Sequence, residues 1–448
     1  MKRILAMLVV FVLLSVPVAG ISGGSGWDYD YKVLDDGTAM ITGYRGSDAD
    51  PVFPETIDGR AVSRLSGTFS ARTVSIANIR SVTVPNTMTT IEPGALQFAE
   101  YLTEIRIAGD HPVLAFEDGV LYNRNEQSIV LYLQTNTAEH FEIPEGIRVI
   151  GDRAFYRSRL VSVCFPGSVE RIGRDSFNQC IRLSDVSLAE GLRSIGTDAF
   201  TNCDKLKSID IPASVSEIGE AAFTDAHLKA IRVAPDNPVF AVSGGALINI
   251  RDGVLIAYPP MADAETCVIP EDVTRIGAFA FYRSHNLKKV VFPDGLLEIG
   301  SKAFLSCNHL MAIDLPDSVI LLEKSAFGDN SDVETLHLPA GLTEIIDNFD
   351  DMNITELEIP ETVISIKDSF SSLRSLAEVV LPGSVSTVSG KSFTFCRKLA
   401  SITIPAGVTE ISSTFTGCGA ALVIRVEPGS FAEQYCGDHQ LTFEYISE

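Results

Sequence analysis

Seven His, eight Cys and 58 Asp plus Glu are the side chains of this 448-residue chain that could do chemistry. The imidazoles His111, His140, His227, His285, His309, His337 and His439 occupy unrelated positions of the repeat described below. None sits in a His-Glu-x-x-His pair, which would set two rings on one helix face for zinc. No Gly-x-Ser-x-Gly on a strand-to-helix turn and no phosphate-cradling glycine loop accompanies them. The sequence therefore assigns no catalytic residue and no cofactor. Asp347, Asp350 and Asp351, with Asp329 and Asp332 one repeat earlier, could offer oxygens to Ca²⁺, whose sites need roughly six to eight. Their spacing fits no loop motif, so they read as turn acids and no metal is expected.

What positions these groups is a repeated phrase. In one register it reads LKSIDIPASVSEIGEAAF, Leu206 to Phe223. Its Phe recurs at Phe155, Phe177, Phe200, Phe223, Phe281, Phe304, Phe327, Phe349, Phe370, Phe393 and Phe415, 21 to 23 residues apart except across one gap of 58. A constant period of that length predicts a solenoid. Within a unit, Ile209 and Ile211 alternate with Ser208 and Asp210 as in a half-buried strand. Pro212 ends the strand because it has no N–H for the ladder. Val215 and Ile218 then turn inward again, and Ala222-Phe223 fills the far side.

Equal spacing puts the outward strand positions into columns. One runs Cys164, Ser187, Asp210, Arg232, Val268, Val291, Asp314, His337, Glu358, Val380, Thr403; its partner includes Glu356 and Glu378. Glu356, Glu358 and Glu378 are expected to cluster, with Asp314 and His337 extending the patch toward a basic partner. Like charges on neighbouring strands cost roughly 0.2–1 kcal/mol per pair. Cys180, Cys203, Cys307, Cys396 and Cys418 share another position, three residues after the Phe. A shared position favours a column of buried thiols, although Cys180 with Cys203, or Cys396 with Cys418, would be near enough to bridge. Cys164, Cys267 and Cys436 are scattered, and no Cys-x-x-Cys suggests zinc.

Lys2, Arg3 and the apolar run Ile4 to Val18, followed by Ala19-Gly20, read as an export signal over 1–20. Fifteen or so apolar residues are short for a bilayer span, which needs about 20. The formal charge is −23, a balance that repels nucleic acid and anionic membranes. Segments 21–50 and 426–448 are expected to cap a repeat region of 51–425. The first cap is a hairpin from Tyr29 to Tyr44 with Trp27 at its entrance; the second is helix-like over Gly429 to Cys436. Two longer units, 105–133 and 231–259, resemble each other, and each reads as a β-hairpin inserted in the stack.

The ordered Ile-Pro, Ile-Gly and Ala-Phe signals resemble the BspA-type leucine-rich repeats of bacterial surface and secreted proteins. Departures include Ala189 in place of Pro and Asn348-Phe349 in place of Ala-Phe. The resemblance implies a β-rich, right-handed leucine-rich-repeat superhelix with a parallel sheet face and short turns or helical pieces between strands. It also implies adhesion to host extracellular proteins for some members. The functional expectation is a secreted or cell-surface binding protein, non-catalytic, recognising a protein or glycan, with no nucleic acid and no membrane span. A structural or scaffolding envelope component is the alternative, and a hydrolase a distant third.

Overall fold

The computed structural model describes residues 29–67, 78–412 and 414–446. The expected export signal and Trp27 lie outside them. Each rung begins with a short strand such as Ser208–Ile211, with Ile209 and Ile211 buried and Asp210 exposed. A second strand of two residues, Glu217–Ile218, follows the Pro turn. Both kinds pair in parallel with their equivalents one rung away: Val163 lies beside Val186, and Ile172 beside Ile195. A one-residue slip would turn these apolar side chains outward, so burial fixes the register.

The third side of the coil, through Ala-Phe, forms no strand yet is bonded from rung to rung. The N–H groups of Asp175, Phe177 and Gln179 donate to the carbonyls of Thr197, Ala199 and Thr201 at 2.9, 2.8 and 2.9 Å. Asp175 and Gln179 have φ of +54° and +62°, in the left-handed region that most side chains avoid. The result is that these three N–H groups face the next rung and the carbonyls of the same peptides face the previous one. Lys302, Phe304 and Ser306 repeat the pattern onto Lys324, Ala326 and Gly328.

Inside, the repeat Phe rings stack almost parallel, with centroids 4.7 Å apart for Phe155–Phe177 and 4.9 Å for Phe304–Phe327. Burying one such ring contributes roughly 1.5–3 kcal/mol. Two stacks start on tyrosines, Tyr132 on Phe155 and Tyr258 on Phe281. Burial pushes both phenols up to about 12. The Cys position also has a physical reason. Cys180, Cys203, Cys307, Cys396 and Cys418 each donate a thiol hydrogen to the carbonyl of the Phe one rung back, at 3.0 to 3.4 Å. Four of the five are buried, Cys418 is half-buried, and all eight Cys are unbridged. Burial raises these thiols, to about 12 for Cys180, Cys307 and Cys396.

Each insertion is a three-stranded meander rather than the expected hairpin. Leu114–Glu117, Val120–Asn123 and Ser128–Tyr132 run antiparallel in turn, as do Phe240–Ser243, Ala246–Asn249 and Val254–Ala257. The extra strand follows from second tight turns at Asp118-Gly119 and Gly244-Gly245, whose residues all take positive φ, the conformation two-residue hairpin loops require. The meanders also divide the core: Leu121 and Leu133 pack toward the N-terminal block, and Val120, Ile129 and Tyr132 toward the middle one.

The hairpin Tyr29–Val33 with Ala39–Tyr44 covers one end. At the other, Ser430 caps the helix Phe431–Asp438 by accepting the Glu433 N–H, and Phe443–Tyr445 joins the last ladder. That helix is the only α-helix among the described residues, so the pieces between strands are turns and not helical segments.

Candidate functional site

The outward columns form much as the alternation requires. Asp314 is the register partner of His337, and Val268 of Val291; all four are exposed. Val268 is 56% and Val380 59% accessible, so large apolar side chains stand in the same column as acids. The expected cluster of three glutamates is altered in two ways. Residues 354–360 form no strand, although Leu357 and Ile359 remain buried and Glu356 and Glu358 exposed. Hence the ladder that would hold Glu356 and Glu358 at fixed spacing is interrupted there. Glu378 lies in a strand but is bound by Arg425 at 2.8 Å, which also holds Glu444 at 2.9 Å. An exposed pair of this kind contributes little stability, yet it offsets the Glu378 charge.

The suspected Ca²⁺ acids are dispersed among other partners. Asp347 meets Ser325 Oγ at 2.8 Å and Lys324 at 3.4 Å, Asp350 accepts the Ser371 N–H at 2.6 Å, and Asp351 faces Arg374. Asp332 faces His309. Among the described residues no three His, Cys, Asp or Glu converge to hold a metal ion.

Several regularities fail together at one rung, Glu344 to Ile359. The second-strand ladder ends at Leu321–Leu322 and restarts at Glu344–Ile346, with no insertion between them. The residue before the Phe changes from Ala to Asn348, Ser369, Ser392 and Thr414. Phe349, Phe370, Phe393 and Phe415 all take positive φ, between +56° and +65°, which their counterparts Phe304 and Phe327 do not. The central peptide is thereby reversed: Phe370 N–H donates back to Asn348 O and Phe393 N–H to Ser369 O. Asn348 joins the two arrangements. Its own carbonyl having turned away, its side-chain Oδ1 takes the Phe327 N–H at 3.2 Å. Its Nδ2 donates to Glu323 O and Ile346 O, and its N–H is received by Ser369 Oγ.

Chain length changes at the same place. Leu322 and Phe327 are five residues apart, as are Val388 and Phe393, but Ile345–Phe349 and Ile366–Phe370 span only four. Two consecutive short corners between full-length ones leave a notch in the side of the solenoid. A groove of about 530 Å³ occupies it, lined by Lys324, Lys367 and Lys391 with Asp347, Asp350 and Asp368. Gly390, at φ +66°, sits against one of its acids: a Cβ there would lie 2.2 Å from Asp368 Oδ1. Burial pushes the Asp350 carboxyl up to about 6, with Asp347 and Asp351 adding to the shift and the Ser371 hydrogen bonds opposing it. Reasoning from the first-strand columns missed this place, since its residues lie from the end of the second strand to just past the Phe; the four-residue spacing was the available signal.

A family model supplies the class. The BspA type leucine rich repeat region matches residues 130–240, 260–368 and 346–428 in six copies, and the chain belongs to this family. Among solved structures it is similar to a leucine rich cell surface protein from Faecalibacterium prausnitzii, at 20% identity and TM-score 0.44 over 96% of each chain. It is also similar to the pneumococcal vaccine antigen PcpA, at 17% identity and TM-score 0.49 over 94% of this chain and 96% of that one. A leucine-rich repeat protein from Bacteroides ovatus matches at 21% identity and TM-score 0.44, over 95% of this chain and 100% of that one. No curated protein matches the chain.

Proposed function

We propose that the chain is a secreted or cell-surface binding protein that recognises a protein or glycan ligand through the outer face of its first strands. The observation that supports this reading is the mixed surface of that face. Exposed Val268, Val291 and Val380 share a column with Asp314, His337 and Glu358, and Glu356 stands exposed in the adjoining column. Apolar side chains held in water on a bonded framework are available for contact, and acids among them set the sign of the partner. Family membership agrees with a role in protein–protein binding. No helix among the described residues is long and apolar enough to cross a membrane. No step of catalysis is assigned to any residue.

The test is capture by residues 21–448, immobilised, of extracellular-matrix proteins and host cell-surface extracts. A Glu356→Gln/Glu358→Gln variant should retain the fold and weaken capture of a basic partner about tenfold, chiefly through slower association and reduced salt sensitivity. Capture unchanged in a folded variant would remove the acids from the site. Val268→Ser/Val380→Ser then probes the apolar half of the same face. Loss of no ligand in either variant, with self-association instead, would turn the reading to scaffolding.

A further inference from the structure

We propose that the notch between the Lys324 and Lys391 rungs is a second binding site, independent of the strand face, that takes an acidic saccharide. The geometry is that of a cleft with a built floor. Two shortened corners recess the chain between full-length rungs, and the wall-to-wall distance is three rung spacings, about 14 Å at roughly 4.8 Å per spacing. The groove volume of about 530 Å³ suits a di- or trisaccharide.

The charges choose the ligand. In a chain of net charge −23, three ammonium groups from three different rungs line one cleft. Lys324 is paired with Asp347, whereas Lys367 and Lys391 form no ion pair among the described residues. The acids are engaged on the protein side: Asp347 by Ser325 and Lys324, Asp350 by the Ser371 N–H, Asp368 by the Lys391 N–H at 3.0 Å. Each carboxylate still has lone pairs free to accept from a ligand. The cleft therefore offers two unpaired cations together with several fixed acceptors. An acidic peptide would bring its carboxylates against three Asp and offers their oxygens only its backbone N–H groups, one per residue. A sugar carrying an anionic group matches both sets, its carboxylate or sulfate on Lys367 and Lys391 and its hydroxyls on the Asp oxygens.

The experiment uses residues 21–448 and four probes in calorimetric titration: trigalacturonic acid, a sulfated galactotriose, neutral galactotriose and tetraglutamate. Binding of either anionic sugar, at least tenfold tighter than the neutral sugar and tetraglutamate, is the expected result, and which one binds identifies carboxylate or sulfate as the group read. Lys367→Gln/Lys391→Gln should weaken it at least tenfold, while the control Lys289→Gln, on the strand face, leaves it unchanged. Gly390→Ala, whose Cβ would push the Asp368 carboxylate from its place in the groove, should also weaken it. If neither anionic sugar binds, if tetraglutamate binds equally well, or if the double Lys variant binds as the parent does, the proposal is overturned.

Discussion

The rungs from Arg153 to Asp329 and those from Asp347 to Phe415 are written in the same phrase, yet their central peptides point in opposite directions. In the first group Ala precedes every Phe but Phe177, and the Phe N–H donates forward, as from Phe304 to Ala326 O. In the second a polar residue precedes it, and the Phe N–H donates backward, as from Phe393 to Ser369 O. Ser176 shows that the polar residue alone does not decide. It sits before Phe177 in the first group, the forward bond from Phe155 to its carbonyl is intact, and its buried hydroxyl has no partner among the described residues. The reversed arrangement needs successive polar residues, each serving the next: Ser369 Oγ receives the Asn348 N–H, and Ser392 Oγ the Ser369 N–H.

The largest expected effect is at Asn348. Replacing it with Ala leaves the Phe327 N–H and the Glu323 carbonyl without their side-chain partners, and each buried orphan costs about 1–3 kcal/mol. Amide exchange should accelerate at least tenfold across rungs 323 to 370. Exchange unchanged there would mean that the peptide can turn back and that the polar residue does not hold the junction.

Ser369→Ala should cost less, about 1–2 kcal/mol, because its hydroxyl has one hydrogen to share between the Ile345 and Lys367 carbonyls, so one donated bond is lost with the one accepted from the Asn348 N–H, against three at Asn348. Its exchange footprint should fall on the C-terminal group and stop short of Phe304. A footprint reaching the first group would show the two arrangements to be one cooperative unit.

Asp350 sharpens the comparison through pH. Its folded pKa is raised to about 6 from an ordinary 3.8, mainly by burial. A raised pKa means that its contribution favours the folded state at low pH and is lost as pH climbs from about 4 through 6. Asp350→Asn, which keeps an acceptor for the Ser371 N–H, should therefore stabilise the second group at pH 7 by on the order of 1 kcal/mol. It should have no effect near pH 3.5. Melting curves at the two pH values check this, and an equal effect at both would assign the change to something other than titration.

The smallest effect, of opposite sign to Ser369→Ala, belongs to Ser176→Ala. Removing a hydroxyl that is buried without a partner should raise stability by up to about 1 kcal/mol. A loss of stability would mean that Ser176 already behaves like the serines of the second group.

The contrast also marks what could be read from the sequence. The period of the Phe and the alternation around Ile209 were sufficient for the solenoid, its parallel pairing and the Cys column, because those depend on what stacks upon its own copy. Asn348-Phe349 was visible as a departure from Ala-Phe. Its meaning was not, since a peptide reversal is a choice made jointly by several rungs, as Ser176 demonstrates. The Arg425–Glu378 pair reaches across two rungs, so a column of one residue type could not disclose it. The lysine cleft comes from two missing residues in successive corners, and it took the three-dimensional path of the chain to turn that shortfall into a space.

The rung-to-rung hydrogen bonds, on all three sides, run along the solenoid axis, and this makes the molecule a particular kind of mechanical element. A pull on its two ends loads these bonds one rung at a time instead of shearing a whole sheet together. A released rung of about 22 residues can extend to roughly 75 Å at about 3.4 Å per residue, from a folded rise near 4.8 Å. The chain should thus yield at low force in many small, equal steps, lengthening about fifteenfold as it does so. The meanders at 105–133 and 231–259, whose antiparallel strands tie more chain into one unit, should appear in an optical-trap record as two longer steps among the regular ones.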